Sequence, residues 1–170
     1  MRMHFAMALS AAVFGATAFA QGPQGTQTSL VATTKTAEVG KFCENLANSA
    51  HKIDVPQHSA VDFHVSGAPD TPYVLFVGMP VQHQLWQEFP EIDGLLAMSL
   101  DLPPVTLSIG VHRDGQPAAN RCGAAVDTFA WTTGNLPIGT KLRFQAVGFN
   151  GYGVPAPVLS FTRPMDVTVV

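Results

Sequence analysis

Beyond residue 20 the sequence never sustains the spacing of an amphipathic helix; its apolar residues come in short runs that Gly or Pro closes off. A chain punctuated in this way folds as strands joined by tight turns. Val61, Phe63 and Val65 alternate with Asp62, His64 and Ser66, so the first set faces a core and the second faces water. The turn Gly67-Ala68-Pro69-Asp70 follows, and Tyr73 to Gly78 is a nearly continuous apolar run that suits a buried central strand. Further strands are expected near residues 95–102, ended by Pro103-Pro104, and over 105–111, where Val105, Leu107, Ile109 and Val111 form one apolar set. Residues 126–132 carry Phe129 and Trp131 at strand spacing, with Trp131 expected in the core. Over 141–149, Leu142, Phe144 and Ala146 alternate with Lys141, Arg143 and Gln145, and Gln145 either points outward or bonds a neighbouring loop. Residues 158–162 and 166–170 supply the last strands, and Pro164 between them marks a bulge, an edge or a change of sheet. The pattern predicts an all-β fold, an Ig-like β-sandwich of about seven or eight short antiparallel strands. The least strand-like stretch is 82–92, a polar loop or helical turn laid over one sheet edge.

Composition narrows the classes of function. The chain of 170 residues is 46% hydrophobic with a formal net charge of −3, which excludes a disordered tail and argues against a nucleic-acid binder, whose basic surplus is missing. Residues 1–20 read as a signal peptide, with Arg2, an Ala-rich apolar run from Phe5 to Phe19, and Ala18-Phe19-Ala20 as the cleavage site. Residues 21–29 then form a flexible leader and 30–170 a single sandwich domain, with no membrane span in the mature chain. The expected destination is the cell surface, the medium or the periplasm, which is oxidising enough for Cys43 and Cys122 to form a disulfide. Closing a loop of 79 positions would contribute about 4 to 5 kcal/mol. Two buried thiols or an intermolecular bridge are the alternatives.

Catalytic signatures are missing: no G-x-S-x-G, H-E-x-x-H, C-x-x-C or P-loop occurs. Gly151-Tyr152-Gly153-Val154-Pro155-Ala156 has the spacing of a dinucleotide loop, but Pro155 and Pro157 block the helix such a site needs. Asp62 and His64 project to one side and would supply two metal ligands if His83 or His112 joined them; solvated histidines, His51 and His58 included, are the simpler reading. Glu88, Glu91 and Asp93 cluster in sequence as a solvated face rather than as a glycosidase pair. Trp86, Trp131, Tyr73 and Tyr152 are the aromatic faces available to a ligand, with Trp86 and Tyr152 the ligand-binding candidates.

Gly40-Lys41-Phe42-Cys43, the run Phe63-His64-Val65-Ser66-Gly67-Ala68-Pro69 and the strand Leu142-Arg143-Phe144-Gln145-Ala146 together resemble small exported bacterial β-sandwich domains of unknown function. Such domains carry a G-x-G-C start, an S-G-A-P turn and a late L-x-F-Q-A strand. Here Lys41-Phe42 stands where a small residue normally precedes the cysteine, and the 82–93 segment is longer and more polar. The resemblance implies fold and export, and brings no catalytic residue and no cofactor. The expected function is therefore a non-enzymatic exported interaction or structural module with a protein or glycan partner. A carbohydrate-binding module is the alternative, and a metal-dependent hydrolase a more distant one.

Overall fold

The computed structural model describes residues 28–42, 49–89, 92–112, 125–150 and 158–170. These hold twelve strands: β1 (Ser29–Thr33), β2 (Glu38–Val39), β3 (His51–Val55), β4 (Ala60–Gly67), β5 (Pro72–Gly78), β6 (Gln87–Phe89), β7 (Ile92–Leu96), β8 (Val105–Val111), β9 (Ala125–Thr132), β10 (Lys141–Asn150), β11 (Val158–Phe161) and β12 (Met165–Val169). A 3-10 turn at His83–Leu85 is the one helical element among them. No helix of the described residues is long and apolar enough to cross a membrane. The strands form two sheets and an all-β sandwich.

The smaller sheet runs β2-β1-β4-β9, antiparallel throughout. The larger has eight strands and branches at β10. On one side of β10 lie β5 and then β8; on the other, its first half pairs β12 and its second half pairs β11. Thr162 fills the gap between the two halves, its N–H donating to the Ala146 carbonyl at 2.8 Å and its Oγ1 accepting from the Ala146 N–H at 2.9 Å. Pro164, which has no N–H to give, lies between β11 and β12, so the branch sits where the sequence placed a break. Two outer pairings, β12 with β3 and β11 with β7, are parallel. The expectation of seven or eight antiparallel strands is therefore corrected in count and in direction. Of the four additional strands, β1 and β3 have five residues each and precede the first expected strand, while β2 and β6 have two and three, too few to show any period. The 95–102 strand is displaced to β7, with only an isolated bridge, Met98 to Pro80, beyond it.

Between the sheets, Val61, Phe63 and Val65 of β4 pack on Leu75 of β5, Phe144 and Ala146 of β10, and Met165 and Val167 of β12. Phe63 stacks on Phe144 at 4.3 Å, and Trp131 meets Phe144 edge-on at 5.0 Å, so Trp131 packs half-buried against the core. Tyr73 is also buried here rather than offered to a ligand. Ser66 departs from its expected exposure: it is buried, its hydroxyl bonded to that of Ser29. On the outer face of the larger sheet a second apolar cluster joins Leu96, Met98 and Phe161 to Phe76, Ile92 and Val147. The polar stretch holds the 3-10 turn and β6, the end strand of this sheet, and Trp86 between them lies over Arg143 on the outer face.

The facing of β8 reverses the expectation. Val105, Ile109 and Val111 are exposed, Ile109 to 74%, while Ser108 and Gly110 pair with Leu75 and Tyr73. Glycine is required at 110 because a Cβ there would lie 2.4 Å from the Tyr73 ring. A register shift opposite Leu75/Phe76 then turns Leu107 onto the core.

Candidate functional site

The outward side of β10 places Arg143 and Gln145 beneath the 80–99 segment, and both are buried. Arg143 holds Asp166 of β12 by two charge-assisted bonds, Nε to Oδ1 at 2.5 Å and Nη2 to Oδ2 at 2.8 Å. Its Nη1 donates to the Val81 and Ala97 carbonyls at 2.9 and 2.7 Å. Gln145 donates from Nε2 to the Leu95 and Thr162 carbonyls at 2.7 and 2.8 Å and accepts from the Ala97 N–H at 2.9 Å. Residues 95–97 cross a face where a ladder cannot satisfy every peptide group, and these two side chains supply the missing partners. Gln145 therefore takes the loop-bonding role that the sequence allowed.

Trp86 is half-buried over this anchor, with the Arg143 guanidinium 5.6 Å from the ring centroid and Nε1 donating to the Val81 carbonyl at 3.4 Å. Beside the ring opens a cleft of about 330 Å³. Val81, Leu85, Met98 and Leu100 give it apolar walls, and Gln84, Gln87, Ser99 and Asp101 contribute polar groups. The stretch from Met79 to Val111 is rich in exposed apolar side chains: Met79, Leu85, Phe89, Leu100, Leu102, Val105, Ile109 and Val111 are all exposed, Leu85 and Leu102 to 62%. Among the described residues, only Ile138 and Val170 are exposed large hydrophobics elsewhere. Sequence reasoning selected Trp86 but missed this concentration, because β8 was read with its apolar set inward.

A second polar group lies between the sheets at the end where β4 and β8 finish. The His112 imidazole is fully buried and stacked on Tyr73, ring centroids 4.9 Å apart, and neither ring nitrogen has a hydrogen-bond partner among the described residues. Burial pushes it down to about 4, against the opposing pull of the nearby Val65 carbonyl and the Asp127 carboxylate. The Tyr73 hydroxyl donates to Asp127 Oδ2 at 2.9 Å. Burial, first, and that bond, second, raise its phenol above the usual range. Such a phenol stays protonated at any physiological pH.

The remaining candidates do not converge. His64 reaches Thr128 Oγ1 from Nδ1 at 2.9 Å and Thr33 Oγ1 from Nε2 at 3.1 Å on the outer face of the smaller sheet, whereas His112 is between the sheets. No group of three or more His, Cys, Asp or Glu among the described residues could hold a metal. Glu88 and Asp93 are exposed. Tyr152, Glu91, Cys43, Cys122, the 151–156 loop and the signal peptide lie outside the described residues, as does the His83 side chain.

No protein-family model matches the chain. No curated protein matches it either. Among solved structures, one chain from work on T cell specificity and activation by the bacterial superantigen toxic shock syndrome toxin-1 aligns over 70% of this chain and 92% of its own, at 13% identity and a TM-score of 0.32. A likeness of that size carries no argument about activity.

Proposed function

We propose that the protein is an exported, non-enzymatic interaction module that meets a partner protein through the apolar surface between Met79 and Val111. The observation that carries this reading is that eight of the ten exposed large hydrophobics among the described residues, Leu85, Leu100, Leu102, Ile109 and Val111 among them, belong to the stretch from Met79 to Val111. Large exposed apolar patches are costly to leave in water and mark contact sites. Arg143 and Gln145 fix the 80–99 segment, which carries Leu85 and Phe89, so that part is presented in one shape rather than formed on binding. Photo-crosslinkers placed singly at Leu102, Ile109 and Ile138 in producing cells test it. One defined product from the first two positions and none from Ile138 is expected. The same product from all three, or turnover of a substrate that a single substitution abolishes, overturns the reading.

A second reading, glycan binding in the Trp86 cleft, is favoured by Gln84, Gln87, Ser99 and Asp101 standing beside an indole whose orientation is fixed. Titration of a glycan panel followed by fluorescence, with Trp86→Ala as control, separates the two. Flat titrations remove the second and leave the first.

A further inference from the structure

We propose that His112 is an acid-sensitive latch: on taking up a proton its ring leaves the interior and frees the 68–71 turn from the end of β8. The geometry is that of a side chain tolerated only while neutral. Its ring is fully enclosed, and both Nδ1 and Nε2 are without partners among the described residues, where buried polar groups are ordinarily satisfied. Space is left by missing side chains rather than by polar ones. A Cβ at Gly67 would lie 2.5 Å from Nε2, and one at Gly148 would lie 3.3 Å from the same atom. An imidazolium in this position would bring a full charge and two N–H donors into an enclosed space where the Val65 carbonyl can answer only one of them.

The groups facing the ring are few. From β5 comes Tyr73, a neutral phenol stacked on it; from β9 comes Asp127, whose carboxylate already accepts the Tyr73 hydroxyl and the Thr128 N–H at 3.0 Å. The last part of β4 and the last part of β10 present Gly67 and Gly148, and Thr28 packs against the latter. Among the described residues Asp127 is the one anion in this set, and the Val65 carbonyl and then Asp127 favour protonation less than burial opposes it. The charged ring is therefore better placed in water.

Its exit would act on the main chain. The His112 N–H donates to the Thr71 carbonyl at 3.0 Å and its carbonyl accepts from the Asp70 N–H at 2.8 Å. Thr71 closes the turn onto the Ala68 carbonyl through N–H and Oγ1, and the Ala68 N–H ties it to the Phe149 carbonyl at 3.1 Å. The same residue thus plugs the sandwich and pins the turn that closes it. Because the closed-state pKa lies below the ordinary value, closure is complete above about pH 6.5, weakens as the pH falls through 6.5, and reaches its lower limit below about 4.

Hydrogen exchange on the full chain reads the latch directly. Between about pH 7 and about pH 4.5, protection factors at Ala68, Asp70, Thr71 and His112 should fall on the order of 100-fold, while Ala146 and Val167 keep theirs. His112→Phe, which retains the stack and cannot titrate, should lose this dependence. Unchanged protection in the parent, an equal fall in His112→Phe, or a uniform fall that includes Ala146 and Val167 would each overturn the proposal. If His112→Phe does not fold, NMR titration of the parent ring decides: a midpoint well below 6.5 accompanied by opening of the turn supports the latch, and a midpoint near 6.5 in the closed state overturns it.

Discussion

Replacing Arg143 by Met tests whether the 80–99 segment is held by one side chain. Methionine keeps most of the apolar volume against the sheet, so the loss is chiefly of charge and of donors. Four hydrogen bonds go: two to Asp166 and one each to the Val81 and Ala97 carbonyls. Breaking a buried ion pair by removing one partner costs about 3 to 5 kcal/mol, because the other charge stays behind. The Asp166 side chain is 21% exposed, so water softens that term, while Ala97 is fully buried and its orphaned carbonyl adds about 1 to 3 kcal/mol. The expected total is about 4 kcal/mol, a large fraction of the 5 to 15 kcal/mol that ordinarily separates a folded domain from its unfolded chain. Urea unfolding measures it, and Trp86 emission should shift to the red before the global transition as the ring loses its cation. Adding Asp166→Leu to Arg143→Met removes the stranded carboxylate and should restore about 1 to 2 kcal/mol. A loss below about 1 kcal/mol in the single variant, with Trp86 emission unchanged, would show that the segment is held by its apolar cluster and that the reasoning is wrong.

Phe144→Ala, which empties the space between Phe63 and Trp131, should cost about 3 to 5 kcal/mol in the same assay; a loss under about 1 kcal/mol would contradict its burial. Gly67→Ala drives a methyl to 2.5 Å from His112 Nε2 and should destabilise by about 1 to 3 kcal/mol, with His112→Ala in the same chain relieving the clash. Mass spectrometry of exported protein should find a chain beginning at Gln21, and thiol titration of the same material should find Cys43 and Cys122 unreactive until reduced.

Alternation in a strand tells which residues share a face, and it says nothing of what covers that face. Where the cover is the opposite sheet, the sequence was readable: Val61, Phe63 and Val65, or Leu142, Phe144 and Ala146, are apolar because they meet one another. Arg143 and Gln145 obeyed the same alternation yet are buried, because the cover on their side is irregular chain whose peptide groups need donors and acceptors. A polar side chain under a loop and a polar side chain in water look identical in one sequence. The reverse error occurred in β8, where Tyr73 demands space that Gly110 leaves, and so turns Ile109 and Val111 outward. His112 follows from that same reversal, since the parity that puts Gly110 inward also puts His112 inward. One large aromatic on the neighbouring strand therefore sets both the exposed apolar surface through which a partner is proposed to bind and the buried imidazole proposed to respond to acid. Neither could be found from β8 read alone.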